Sequence, residues 1–105
     1  MPDDFVKVTK VSEIADDTLK TVSVKDEDVT IANIDGKYYA IGAICKHAEW
    51  DLSEGYIESD SIVCAGHGAK WNLQTGEAEF HEPLDPEPLY DVKIVGDDIY
   101  LRKRS

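Results

Sequence analysis

The 105-residue sequence predicts a single all-β domain spanning residues 1–105. Three observations predict it. Short runs of alternating or β-branched residues recur along the chain, turn signals separate them every few residues, and no stretch carries a sustained helical period. A proline-rich segment, Glu82 to Leu89, holds three prolines and excludes both helix and central strand there. Short strands with frequent turns fit an antiparallel β-sandwich or barrel.

Residues 5–8 (Phe-Val-Lys-Val) read as a first strand. Val11 to Ile14 reads as a turn or short helical piece, with Ser12 as its N-cap. Leu19 to Val24 alternates, and Asp26-Glu27-Asp28 reads as a turn. Val29–Ile34 and Lys37–Ile41 flank Asp35-Gly36, a strong hairpin signal. Gly55 and Ile57 close the loop that follows, and Ser61-Ile62-Val63 is the next strand. Ala69–Leu73 alternates, Thr75-Gly76 turns, and Glu77–Phe80 continues as a strand. A last hairpin joins Tyr90–Val95 to Ile99–Leu101 through Gly96-Asp97-Asp98. The terminal Arg102-Lys103-Arg104 reads as a frayed, solvated tail.

Composition narrows the function classes. The net charge is −11, with 22 acidic against 11 basic residues. Such a surface repels nucleic acid and anionic membranes and favours a partner with a basic docking face. No apolar run approaches the roughly 20 residues that cross a bilayer. The acidic start, Met1-Pro2-Asp3-Asp4, has no signal-peptide pattern, so a cytoplasmic location is expected.

Two short stretches concentrate the chemistry: Cys45-Lys46-His47 and Cys64-Ala65-Gly66-His67. They use both cysteines and two of the three histidines, as C-x-H, 16 residues, then C-x-x-H. A disulfide is disfavoured in a reducing compartment and leaves the matched histidines unexplained. Three readings remain. Zinc fingers space their ligands as C-x₂₋₄-C and H-x₃₋₅-H, whereas each pair here is mixed and the first is tighter. A buried thiol beside an incidental imidazole explains one pair better than two. A [2Fe–2S] cluster with His₂ on one iron and Cys₂ on the other accounts for both.

Here the sequence resembles a known family. Cys45-Lys46-His47-Ala48 with Leu52-Ser53-Glu54-Gly55 resembles the first ligand box of Rieske iron–sulfur proteins, and Cys64-Ala65-Gly66-His67-Gly68 resembles the second. Trp71, Thr75-Gly76, the proline segment and Leu89-Tyr90-Asp91-Val92 stand where that family has an aromatic, a Thr-Gly turn, a proline loop and a final strand. One departure is Ala65, where many members carry proline. The resemblance implies a Rieske-like antiparallel β-sandwich with a small cluster-binding subdomain, its two ligand loops within about residues 43–72. It implies one [2Fe–2S] cluster per chain, with Cys45 and Cys64 on one iron and His47 and His67 on the other, the histidine iron nearest solvent. It implies no catalytic residues of the chain's own.

The subclass follows from what is missing. Respiratory Rieske domains add a disulfide-bonded cysteine to each loop, and a Ser and a Tyr at the positions of Ala69 and Trp71. Their absence here resembles a low-potential Rieske ferredoxin. The expected role is a soluble, monomeric one-electron carrier between a flavoprotein reductase and a terminal oxygenase of ring-hydroxylating type. The alternative is a small Rieske-like subunit of a larger redox enzyme such as assimilatory nitrite reductase. Trp71 and Phe80 are expected to pack the scaffold. Trp50 fits a shield, a docking face or loop packing. His81 fits a solvated role, and Pro83, Pro86 and Pro88 either cover the cluster or form a rigid connection.

Overall fold

The computed structural model describes residues 5–24, 27–43, 51–65, 68–80 and 86–104. These form ten strands: β1 (Val6–Lys10), β2 (Thr18–Val24), β3 (Glu27–Ile34), β4 (Lys37–Gly42), β5 (Tyr56–Glu58), β6 (Ser61–Val63), β7 (Lys70–Asn72), β8 (Ala78–Glu79), β9 (Leu89–Val95) and β10 (Asp98–Lys103). Two three-residue 3₁₀ turns, Val11–Glu13 and Leu52–Glu54, complete the described elements. The strands make an antiparallel six-stranded sheet, order β1-β10-β9-β4-β3-β2, and a four-stranded one, order β5-β6-β7-β8. The expected all-β, two-sheet architecture holds.

Two-residue turns set the registers. Asp35 and Gly36 both take positive φ, 53° and 84°, so β3 and β4 close with Ile34 opposite Lys37. That is the geometry an Asp-Gly hairpin favours. Gly96-Asp97, with Gly96 at φ 62°, joins β9 to β10 with Val95 opposite Asp98, so Asp98 of the expected three-residue turn belongs to the strand. Asn33 strengthens the first turn. Its side-chain oxygen accepts from the Gly36 amide at 3.0 Å, while its amide group donates to the Ile14 carbonyl at 2.8 Å.

Strands β3 and β4 are buried on both faces, and this divides the interior in two. Val29, Ile31 and Ala40 join Ile14, Val24, Tyr90, Ile99 and Leu101 in one core. Ala32 and Ile41, on the opposite face, join Leu52, Ile62, Cys64, Ala69, Trp71 and Leu73 in the other. The second core is where the small sheet lies against the large one. Trp71 is fully buried within it and Phe80 packs against it, as their aromatic character predicted.

Four expectations are corrected. Ser12 lies inside the first 3₁₀ turn and caps nothing; Lys10 is the N-cap position and no side chain bonds there. Glu27 and Asp28 belong to β3, paired with Val24 and Ser23, so the acidic triplet is not itself the turn. Tyr56–Glu58 is a strand and not only a loop closure. Arg102 and Lys103 extend β10 and are not frayed. The Lys103 ammonium sits 3.1 Å from Glu27, Arg102 and Arg104 flank Asp91 at 3.1 and 2.9 Å, and the Arg104 amide donates to the Leu89 carbonyl at 2.9 Å. Hydrogen bonds from Arg104 and Arg102 hold the Asp91 carboxyl below its ordinary range, and those from Lys103 and Tyr90 do the same for Glu27.

Candidate metal centre

Antiparallel pairing decides where the chain enters the small sheet after the first motif and where it leaves toward the second. Tyr56, the first residue of β5, pairs with Val63, the last of β6. The chain returning from the first motif therefore arrives at the end of the small sheet from which the second motif departs. Cys64 thus leaves the small sheet at the end where Gly55 leads into β5.

The second loop is a hairpin connection between β6 and β7. Val63 pairs with Lys70, leaving Cys64 to Ala69 as its span. The Cys64 amide donates to the Ala69 carbonyl at 2.8 Å, and the Gly68 amide donates back to the Cys64 carbonyl at 3.0 Å. Gly68 accommodates the reversal at φ 79°. Two backbone bonds thus fix Cys64, whose side chain is 1% exposed. Ala65 is exposed, so the methyl at this usual proline position faces solvent.

The first loop is held at its neck. The Ala43 carbonyl accepts from the Leu52 amide at 2.6 Å, and the Ala43 amide donates to Asp28 at 3.0 Å. Asp51 ties the returning strand down. One oxygen, Oδ1, accepts from the Thr21 hydroxyl at 2.7 Å, the Ser53 amide at 2.9 Å and the Ser53 hydroxyl at 2.7 Å. Thr21 in turn shares a hydrogen bond with Thr30 at 2.9 Å, so the loop is anchored through β2 to β3. Burial pushes the Asp51 carboxyl up, but the hydrogen bonds from Thr21 and Ser53 outweigh it and leave the group below its ordinary range.

Gly55 brings the two loops into backbone contact. A Cβ there would stand 1.9 Å from the Val63 carbonyl oxygen, immediately before Cys64. Only glycine permits that approach. The described part of the proline segment closes the same region. The Glu87 amide donates to Gly76 and the Gly42 amide to Pro88, each at 2.9 Å. Pro88 therefore lies beside the strand that leads into the first loop.

Of the expected ligands, Cys64 is placed; Cys45, His47 and His67 lie outside the described residues, as do Trp50, His81 and Pro83. Asp51 is the functional residue that sequence reasoning missed. Its signal was present: Asp followed two residues later by Ser is an Asx-turn pattern.

The residues present fit an iron–sulfur cluster. A fully buried thiol is locked by main-chain bonds, and the strand that follows the first motif begins beside it, with Tyr56 opposite Val63. Thiolate and imidazole together match a mixed Cys/His donor set. The comparisons agree. The Rieske [2Fe–2S] domain family matches residues 4–101. The chain is 34% identical over 98 residues to the biphenyl dioxygenase ferredoxin subunit of Pseudomonas sp. (strain KKS102), covering 92% of this chain and 90% of that one. It is 32% identical over 97 residues to the biphenyl 2,3-dioxygenase ferredoxin component of Rhodococcus jostii (strain RHA1), covering 92% and 91%. Among solved structures, a complex of reduced oxygenase and oxidized ferredoxin in carbazole 1,9a-dioxygenase aligns with a TM-score of 0.86 and 25% identity, over 96% of both chains. The chain belongs to the Rieske [2Fe–2S] family. Its cofactor is one [2Fe–2S] cluster per chain.

Proposed function

We propose that this chain is the ferredoxin of a multicomponent oxygenase, carrying single electrons from a flavoprotein reductase to a terminal oxygenase of ring-hydroxylating type. The observation that carries the reading is the buried, backbone-held Cys64 at the end of the small sheet where the chain enters β5 after the first motif, in a chain that matches ferredoxin subunits along nine-tenths of their length. The protein is an electron carrier and not itself a catalyst. The small-subunit alternative, as in assimilatory nitrite reductase, has less support, because the matched relatives are ferredoxins.

In this reading Cys45 and Cys64 hold one iron, and His47 and His67 hold the other. The cluster supplies a one-electron couple, raised relative to an all-cysteine cluster because two neutral imidazoles replace two thiolates. The chain's own work is positional. The Ala43–Leu52 and Cys64–Ala69 backbone bonds hold the two loop necks, and Asp51 fixes one neck to the large sheet. The remaining proposals are a single domain over residues 1–105, a monomer, and a cytoplasmic location. No helix among the described residues is long and apolar enough to cross a membrane. The net charge of −11 suits partners with basic docking faces.

The test is direct. Purified protein should contain iron and sulfide near two each per chain and give a reduced-state EPR signal with the low average g value of mixed His/Cys ligation. Adding it to a flavoprotein reductase and a ring-hydroxylating oxygenase should restore NADH-dependent turnover, with a rate that falls as salt rises. A colourless, zinc-loaded protein would end the proposal.

A further inference from the structure

Glu87 is a buried carboxylate that the site as described leaves without a task. It is 5% exposed, and every other described acidic residue is at least partly exposed. Glutamate is almost never buried without a physical reason.

Its position is set by the main chain around it. The Glu87 amide donates to Gly76, and the Gly42 amide donates to Pro88. A Cβ at Gly42 would stand 2.8 Å from the Glu87 Oε1, so the carboxylate lies against the backbone of β4. Gly42 precedes Cys45 by three residues, a covalent reach of at most about 11 Å. Leu89, two residues after Glu87, packs against the core cluster that contains Cys64. The carboxylate therefore stands at the neck of the first motif loop, on a segment that packs against the core holding the second motif.

Other charges face the same hollow of about 300 Å³: Glu27, Asp28 and Lys103, beside the Tyr90 hydroxyl. Asp28 is exposed, and Glu27 binds the Lys103 ammonium at 3.1 Å and the Tyr90 hydroxyl at 3.0 Å. Water and ions screen these groups, as they do the half-buried Asp51 at the far side of the loop neck. Burial denies Glu87 that screening. Burial, the bond to Glu27 and the negative charges of Glu27 and Glu87 push the Tyr90 hydroxyl up to about 12, so the field of Glu87 already acts on a neighbouring group.

We propose that Glu87 is a potential-setting residue: its buried negative charge beside the first motif loop opposes the electron added on reduction and lowers the reduction potential. The inference rests on the cluster reading proposed above. One-electron reduction adds one negative charge to the centre. At an effective dielectric of about 20, a unit charge roughly 12 to 20 Å away shifts such an equilibrium about four- to tenfold. The charge supplies a cause of low potential that is independent of hydrogen bonds to sulfur.

The experiment measures the potentials of wild-type, Glu87→Gln, Glu87→Asp and Asp28→Asn holoproteins, each first assayed for iron and sulfide. Glu87→Gln keeps the side chain's length and hydrogen-bonding capacity and removes the charge. Its reduction equilibrium should rise about four- to tenfold, about 36 to 59 mV for one electron. The rise should persist at high salt, because ions do not reach a buried charge. Glu87→Asp keeps the charge and should stay closer to wild type than to Glu87→Gln. Asp28→Asn removes an exposed charge from the same hollow and should change the equilibrium by less than about 1.5-fold, about 10 mV. A change that small in Glu87→Gln, with iron and sulfide intact, overturns the proposal, and so does an equal rise in Asp28→Asn. Absence of a cluster from the wild type would instead overturn the cluster reading. A second measurement does not need Glu87→Gln. Reduced-minus-oxidised infrared spectra of the wild type should show a perturbed ionised-carboxylate band that Glu87→Asp shifts. No such band, or a protonated-carboxyl band in its place, also overturns the proposal.

Discussion

Removing the Asp51 carboxylate should loosen the first loop more than an exposed aspartate would. Three hydrogen bonds converge on its Oδ1, from Thr21, the Ser53 amide and the Ser53 hydroxyl, at 2.7 to 2.9 Å. Losing the N-cap bond to the Ser53 amide costs about 1 kcal/mol. The Thr21 bond to a charged group is worth about 1.5–3 kcal/mol when dry. Asp51 is only half-buried, and solvent screening reduces that to roughly 1 kcal/mol. The Ser53 hydroxyl can turn to water and adds little. Asp51→Ala should therefore lose about 2 kcal/mol, which for a domain near 100 residues lowers Tm by about 8–16 °C. Asp51→Asn keeps an equivalent cap and should lose about half as much. The assay is thermal unfolding of oxidised holoprotein, followed by circular dichroism and by visible cluster absorbance. A double-mutant cycle isolates the tether: Thr21→Val should add little once Asp51 is Ala. An Asp51→Ala Tm within 2 °C of wild type, or full additivity with Thr21→Val, would refute the reasoning.

The same carboxylate fixes a pH dependence. Its folded pKa lies below the ordinary value, so its stabilisation is complete above the unfolded pKa of about 3.9 and disappears as pH falls through the folded pKa. The stability gap between wild type and Asp51→Asn should hold from pH 5 to 8 and narrow below about pH 4.

Four other variants have definite expected outcomes. Gly55→Ala should destabilise by more than about 3 kcal/mol and prevent accumulation of coloured protein, because its Cβ would meet the Val63 carbonyl at 1.9 Å. Gly68→Ala has open space and only the strain of φ 79°, so its loss in a holoprotein melt should be about 1 kcal/mol; the reverse order would contradict both readings. His67→Cys, if it holds a cluster, should have a lower potential by voltammetry, since a thiolate adds negative charge, and an unchanged value would contradict the charge argument. Asp91→Ala removes the partner of both Arg102 and Arg104 but should lower stability by less than about 1 kcal/mol, an effect that 0.5 M salt abolishes in a denaturant titration.

Legibility in the sequence tracked how local the cause was. Asp35-Gly36 and Gly96-Asp97 could be read as turns because the requirement for positive φ lies within two residues. Strand β5 could not, because its three residues lie between Gly55 and Ser59, a non-glycine residue at φ 57° that sends no turn signal. The 3₁₀ turn at Val11–Glu13 defeated the Ser12 reading because a three-residue turn has few orphan amides to cap. Asp51 to Thr21 spans 30 residues, and Lys103 to Glu27 spans 76. No local pattern reports such pairs, so the terminal basic run looked like a solvated tail. At the site, the Cys/His spacing disclosed the chemistry, but not how Cys64 is held. That depends on the Val63–Lys70 register and the Cys64–Ala69 and Gly68–Cys64 backbone bonds, which exist only once the β6–β7 hairpin has formed.

The scaffold separates two properties that a smaller site would entangle. The loop necks are closed by main-chain bonds at Ala43–Leu52 and Cys64–Ala69, and the Asp51 tether acts on the large sheet. None of these bonds presents a side-chain donor to sulfur. Changes at Asp51 should therefore move Tm and leave the potential within a few millivolts. If one variant shifted both quantities in proportion, neck and cluster would behave as a single mechanical unit. The division of labour inferred from the backbone bonds would then fail.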